Sequence, residues 1–246
     1  MRSGARIVCI IPALNEERAI GRVIADIPEW VDQVVVADNG STDRTAEVAQ
    51  AHGADVVLQP ERGYGAACLA GIDAVDPSDV IVFLDGDYSD RPAEMLRLVD
   101  PIVRDSADMV VGSRVLGNRE RGALTLPQVF GNWLATRLIR TFWGVRYTDL
   151  GPFRAIRTTS LRSLNMADRN FGWTVEMQIK AAMQNLRTCE VPVSYARRIG
   201  VSKISGTIRG SVMAGIVILS TIGRAALRPP TGPSTEANPR QPSVAT

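Results

Sequence analysis

Apolar and polar positions alternate in blocks along the first half of the chain. Arg6-Ile7-Val8-Cys9-Ile10-Ile11 is a nearly unbroken apolar run, and so are Gln33–Ala37, Ala54–Leu58, Val80–Leu84 and Asp108–Gly112. Short β-branched runs of this kind predict buried strands. Between them lie stretches of helical spacing. Glu16–Ile27 carries apolar residues at Ile20, Val23, Ile24 and Ile27, with Asn15 as its expected cap. Ser41 or Thr42 is placed to cap a helix through about Ala51. Gly65–Ala74 predicts a short helix, and Pro92–Val103 another with proline in its first turn, where it is tolerated. Strands without internal alternation, separated by helices, predict an α/β fold with a mostly parallel, Rossmann-like central sheet covered on both faces. In such sheets ligands gather beyond the carboxyl ends of the strands. The polar clusters Pro12–Glu16, Asp38–Asp43 and Asp85–Asp90 fall at three of those ends.

The pattern changes after about residue 115. Gly117–Thr125 is polar and predicts a mobile loop. Leu126–Phe142 predicts a helix with Trp133, Leu134, Leu138 and Phe142 on one face. Gly172–Asn185 predicts a second helix, Cys189–Val193 a short strand, and Gly206–Leu227 a long helix. The remainder is rich in Pro, Ser and Thr without apolar periodicity, so 229–246 is expected to be disordered. The resulting organisation is a domain over 1–205, an apolar C-terminal helix over 206–228, and the tail.

Composition narrows the function classes. The 246 residues are 45% hydrophobic and 22% charged with a formal net charge of +2, which is globular and carries no large single-sign field. No Lys/Arg-rich run suggests nucleic acid. Arginine supplies nearly all the positive charge, since Lys180 and Lys203 are the two lysines. Cys9, Cys68 and Cys189 are scattered, which fits neither a disulfide framework nor a zinc site and points to a reducing, cytoplasmic compartment. A single histidine, His52, at a helix end, leaves little room for a Ser-His-Asp triad. No signal peptide is apparent, and no run reaches the roughly 18 apolar residues of a membrane span.

Six clusters could carry chemistry. Asp85-Gly86-Asp87 follows a buried strand, where a turn at glycine can bring both carboxylates onto one hard divalent cation. In Pro12–Glu17, Asn15 and Glu16 suit both a helix start and a ligand loop. Asp38 ends a strand and can accept from a base N–H or a ribose hydroxyl, and Asn39-Gly40 supplies a turn with positive φ. In Arg62–Ala67, Gly63 and Gly65 would let backbone N–H groups approach phosphate. Arg197–Lys203 gathers three cations and Ser202 around a glycine, suited to phosphate capture. Asp149 could act as a base or orient an acceptor, while Glu176 could pair with Arg154 or reach the cleft.

Together, P-A-L-N-E-E, V-A-D-N-G-S-T-D, R-G-Y-G-A-A, D-G-D and G-S-R, in this order over about residues 5–205, resemble the family 2 glycosyltransferases of GT-A fold. D-x-x-x-F-R (149–154) and R-x-G-x-S-K (198–203) look most like dolichyl- or polyprenyl-phosphate glycosyltransferases. The resemblance implies that Pro12, Ala13, Asn15, Glu16, Asp38, Gly63, Gly65 and Asp85 hold a nucleotide-sugar donor. It implies that Asp85 and Asp87 bind Mg²⁺ or Mn²⁺ across its diphosphate. Asp87, Arg114 and Asp149 would be catalytic, and Arg154, Arg198, Ser202 and Lys203 would hold phosphate or acceptor. Ser89 stands where polyprenyl-phosphate mannosyltransferases typically show Gln, and Asn39 where many members have Asp.

The implied activity is inverting transfer of a sugar from a nucleotide-diphosphate sugar, UDP- ahead of GDP-, to a polyprenyl phosphate. Two alternatives stay open at this level: a glycosyltransferase with a small soluble acceptor, and a non-catalytic nucleotide-sugar binder. A nucleotidyltransferase fits less well, because P-A-L-N-E-E stands where a Gly-rich loop would follow the first strand. The C-terminal helix could touch the inner face of a membrane peripherally, pack on the catalytic domain, or join a homo-oligomer.

Overall fold

The apolar runs become strands β1 (Ile7–Ala13), β2 (Gln33–Asp38), β3 (Asp55–Leu58), β4 (Val80–Phe83) and β5 (Met109–Ser113). The structure, a computed structural model, describes residues 1–200 and 208–227. Two further strands, β6 (Arg154–Arg157) and β7 (Thr188–Pro192), complete a seven-stranded sheet in the order β3-β2-β1-β4-β6-β5-β7. β6 runs antiparallel to β4 and to β5, and the other pairs are parallel. The sheet is therefore mixed. β6 has no counterpart in the sequence reading because its four residues, R-A-I-R, begin and end on arginine.

The helices are α1 (Ile20–Ala25), α2 (Thr45–Ala51), α3 (Tyr64–Asp73), α4 (Met95–Val103), α5 (Leu126–Trp143), α6 (Thr158–Leu164), α7 (Trp173–Met183) and α8 (Ile208–Ala226). Successive strand residues point to opposite faces, and each face has its own apolar layer. Ile7, Cys9, Ile11, Val82 and Leu84 pack with Ile20, Val23, Leu98 and Ile102 of α1 and α4. Val8, Ile10, Ile81, Phe83 and Val111 pack with residues of α3, α5, α6, α7 and α8. Phe83 meets Trp173 edge-on, with ring centroids 6.0 Å apart. Coverage on both faces is why these strands are apolar throughout.

Several local expectations give way to tertiary contacts. Asn15 does not cap α1, which begins only at Ile20. Its backbone is left-handed (φ 54°), and its Oδ1 accepts from Thr42 N at 2.7 Å, tying the loop after β1 to the loop after β2. α2 starts at Thr45 rather than after Ser41 or Thr42, with Thr45 N donating to Asp43 Oδ1 at 3.0 Å. Gly40 does take the expected positive φ, 74°. The polar loop expected to be mobile is stitched at both strands of a bridge, Glu120 N to Tyr195 O (2.8 Å) and Tyr195 N to Asn118 O (2.9 Å).

α5 buries Ala135, Thr136 and Ile139, while Trp133 and Phe142 are more than half exposed. The expected apolar face is thus split between core and surface. α8 packs against α5 and α7 and buries Ile222. Among the described residues no helix is long and apolar enough to cross a membrane. The tail 229–246 lies outside the described residues.

Candidate active site

Because β1, β2, β4 and β5 share one direction, their carboxyl ends meet along one edge of the sheet. A cavity of about 470 Å³ opens there. Pro12, Ala13 and Glu16 line it from the end of β1, Asp85 and Asp87 from the end of β4, and Arg114 from the end of β5. Arg198 closes the polar side, and Gly63 borders it from the start of α3. Leu124, Pro127 and Gly131 of α5 and its approach, with Gly215 and Ile218 of α8, form a mostly apolar wall that also carries Gln128 and Asn132.

The two carboxylates of D-G-D are unequal. Burial, then the charge of Asp87, push the Asp85 carboxyl up to about 7, while Arg198 and the Tyr64 hydroxyl oppose the rise. Tyr64 Oη donates to Asp85 Oδ1 at 3.1 Å. Asp87 is better compensated. Its Oδ1 accepts from Ser89 N (2.9 Å) and Ser89 Oγ (2.5 Å), and its Oδ2 pairs with Arg198. Arg198 also approaches Glu16 at 3.6 Å. Backbone bonds from Ile199 N to Asp87 O and from Ala196 N to Ser89 O (2.9 and 2.8 Å) hold this segment against the carboxylate loop. Ser89 thus spends its hydroxyl orienting Asp87. Among the described residues no third His, Cys, Asp or Glu joins Asp85 and Asp87 in a metal-sized cluster.

Arg114 is the other cation at the polar end. Its guanidinium grips Asp149 through Nε–Oδ2 (2.8 Å) and Nη2–Oδ1 (2.7 Å), and its backbone N–H adds a third bond at 2.8 Å. The ring of Tyr195 lies 5.0 Å from the guanidinium carbon. Asp149 is fully buried beneath it. Glu190, itself buried, accepts from Thr148 N and Asp149 N at 2.9–3.1 Å and holds the turn that carries Asp149. Burial raises the Glu190 carboxyl to about 7 against those bonds.

These contacts correct five assignments. Asp149 has both oxygens committed to Arg114 and does not line the cavity, so it is not free to act as a base. Arg154, expected to hold phosphate, is fully buried and donates to the carbonyls of Leu150, Gly151 and Thr174. Glu176, offered as its partner, instead pairs with Lys180 at 2.8 Å and accepts from Ala167 N and Asp168 N. Asp38 is buried under Ser41, whose N–H and hydroxyl it accepts, while Asn39 beside it reaches the cavity. At Gly63 and Gly65 an added Cβ would overlap the carbonyls of Arg169 and Asp168. The N–H groups there already donate: Gly63 N to Asn39 Oδ1, Gly65 N to Asn170 O, and Ala66 N to Arg169 O. These glycines admit a neighbouring chain segment, and Gly63 also borders the cavity. Ser202 and Lys203 lie outside the described residues.

Comparison with known proteins now adds to the geometry. The glycosyl transferase family 2 profile matches residues 8–164. The chain belongs to this family. A glycosyltransferase of Mycobacterium tuberculosis is 36% identical over 215 residues, 86% of this chain and 95% of that one. A dolichyl-phosphate hexose transferase of Haloferax volcanii is 33% identical over 214 residues, 85% of this chain and 91% of its own length. Among solved structures, glucosyl-3-phosphoglycerate synthase from Mycobacterium tuberculosis, in complex with Mn²⁺, UDP-glucose and phosphoglyceric acid, superposes with a TM-score of 0.75. It is 23% identical and covers 94% of this chain and 83% of that one. That likeness establishes the GT-A fold.

Other residues of this glycosyltransferase that line its cavity were given no site role from the sequence. Asn39 donates to the carbonyls of Gln59 (3.1 Å) and Glu61 (2.6 Å) and accepts from Gly63 N, so an amide suits it where a carboxylate would face two carbonyls. Asn132 of α5 bonds Thr148 O and Leu150 N and fixes the turn above Asp149. Tyr64 and Tyr195 flank Asp85 and Arg114. Tyr64 sat inside a motif read for its glycines, Tyr195 lies two residues before the Arg197–Lys203 cluster, and nothing in local spacing marks Asn132.

Proposed function

We propose that this chain is a metal-dependent inverting glycosyltransferase that moves a sugar from a nucleotide-diphosphate sugar, UDP- ahead of GDP-, to a polyprenyl phosphate. The observation that carries the reading is the two-ended cavity, with carboxylates and arginines at one end and the apolar wall of α5 and α8 at the other. An acceptor with an anionic head and a hydrocarbon chain matches both ends.

Asp85 and Asp87 fit a hard divalent cation. They are oxygen donors at the same strand end, and mutual repulsion with burial raises one of them toward neutrality until positive charge is supplied. With two protein carboxylates, the donor diphosphate and water would complete the shell. A cation bound there supplies neutralisation of the departing nucleoside diphosphate. Mn²⁺ and UDP-glucose in glucosyl-3-phosphoglycerate synthase support this assignment. Pro12, Ala13, Glu16 and Asn39 would border the nucleoside. Arg114, held rigid by Asp149, and Arg198 would face phosphate. A phosphate acceptor is largely ionised near pH 7 and needs no strong base, which accords with an Asp149 already spent on Arg114.

A second reading, transfer to a small phosphorylated acid, is favoured by the phosphoglyceric acid in that same solved structure. The two are separated by incubating the purified chain with UDP- and GDP-sugars and Mn²⁺. One set receives undecaprenyl phosphate in detergent and the other 3-phosphoglycerate. Cation-dependent transfer to the lipid phosphate is expected, with inverted anomeric configuration by NMR. Transfer to 3-phosphoglycerate alone would establish the second reading, and nucleotide-sugar binding without turnover on either would mark a non-catalytic binder.

A further inference from the structure

Resting on the lipid-phosphate reading, we infer that the wall between α5 and α8 is the seat of the acceptor's hydrocarbon chain, and that Gly131 and Gly215 set its bore. Glycine inside a helix costs about 1 kcal/mol relative to alanine, so its presence there asks for a cause. Two causes are usual, a left-handed backbone or the close approach of a neighbour. Neither holds here. Both residues lie within helices, and neither has a positive φ. Among the described residues, a Cβ added at either would meet nothing within 4 Å. Gly71 shows the contrast, since its Cβ would come within 2.5 Å of Ile10. Gly223 of α8 also faces open space, but it does not line the cavity, whereas Gly131 and Gly215 both do.

The surroundings identify the occupant. Leu124, Pro127, Leu150, Phe171 and Ile218 make this part of the cavity mostly apolar, with Gln128, Asn132 and Thr174 among them, and the same cavity is lined by Arg114 and Arg198. On the adjoining face of α5, Leu126, Phe130 and Trp133 are 86%, 61% and 57% exposed, so apolar surface continues outward from the cavity. The next turns of that face carry Arg137 and Arg140, and α5 has no acidic residue. Cations together with a mostly apolar wall complement an amphiphile, a phosphate head on a prenyl chain. A three-carbon acid would fill the polar end and leave the wall without a ligand.

The test is a chain-length profile. Gly131→Leu and Gly215→Leu each put bulk into the bore from a Cβ that meets no described neighbour within 4 Å. For the native chain and each variant, kcat/KM is measured with a ten-carbon and a fifty-five-carbon prenyl phosphate, and UDP affinity by calorimetry with Mn²⁺. The long-to-short ratio is expected to fall roughly tenfold or more, the scale set by a few mismatched methylenes, while UDP affinity stays native. Gly131→Ala, which adds one methyl and suits a helix, should move the ratio in the same direction by a smaller step and serves if a leucine variant does not fold. Native ratios in folded variants would overturn the assignment of the wall while leaving the lipid acceptor intact. A native chain that transfers to neither prenyl phosphate would overturn the lipid reading itself, and this inference with it.

Discussion

At the carboxyl ends of β1 and β4, Glu16, Asp85 and Asp87 line an open cavity, whereas across β6 the charged residues Asp149, Arg154 and Glu190 are buried and do not line it. The two regions are alike in composition. They differ in what surrounds each charge. On the first side, the loops after the strands leave the carboxylates bordering the cavity, with Arg198, itself a lining residue, beside Asp87 and Glu16. On the second, the antiparallel β6 and the turn before it bring carbonyls and N–H groups around each charged group. Burying a charge is tolerated only when it is paired and hydrogen-bonded, and this half of the molecule meets that demand with bidentate and backbone contacts. Charge there serves to fix Arg114 in place, so that a single cation from the buried network reaches the cavity.

The comparison can be broken most directly at its two extremes. Asp87→Ala is expected to lower kcat by roughly 10³-fold, the order seen when a fixed electrostatic partner is removed, with the fold retained by circular dichroism. Native turnover would remove Asp87 from the site. Asp149→Asn should act on stability first. It leaves Arg114 with a weakened partner at low exposure, and the loss is about 3–5 kcal/mol by denaturant titration, the range for a broken buried pair. A variant of native stability whose activity is strongly reduced across the whole pH range would instead return Asp149 to the role of a base.

Smaller effects sharpen the boundary between the two regions. Gly65→Ala should cost about 1–3 kcal/mol, because its Cβ would strike Asp168 O, while UDP affinity in the folded variant stays near native. Weakened nucleotide binding at unchanged stability would restore Gly65 to the donor site. Glu190→Gln gives the smallest signal, read as a pH dependence. The folded carboxyl titrates near 7 against an ordinary value of 4.5, so the native fold holds the proton more tightly than the unfolded chain. Stability from this group is complete below pH 4.5 and declines as pH rises to 7. The melting-temperature difference should therefore shift in favour of the glutamine variant between pH 5 and pH 8. A flat difference would mean that Glu190 is ionised throughout.

By itself the sequence determined the alternation of strands and helices in the first half, the family, and the placement of Asp85, Asp87, Glu16 and Arg114 at strand ends. Those features rest on local information, namely side-chain periodicity and the position of polar residues just past apolar runs. Tertiary structure decided the rest. β6 exists because β4 and β5 leave a gap for it, not because R-A-I-R prefers extension. Gly63 and Gly65 are glycines because a segment about a hundred residues later crosses them. Arg154 and Asp149 look like ligands in a linear motif, and only the carbonyls, N–H groups and guanidinium around them show that they are girders. Whether a charge meets substrate or backbone depends on long-range packing, and no spacing along the chain encodes that.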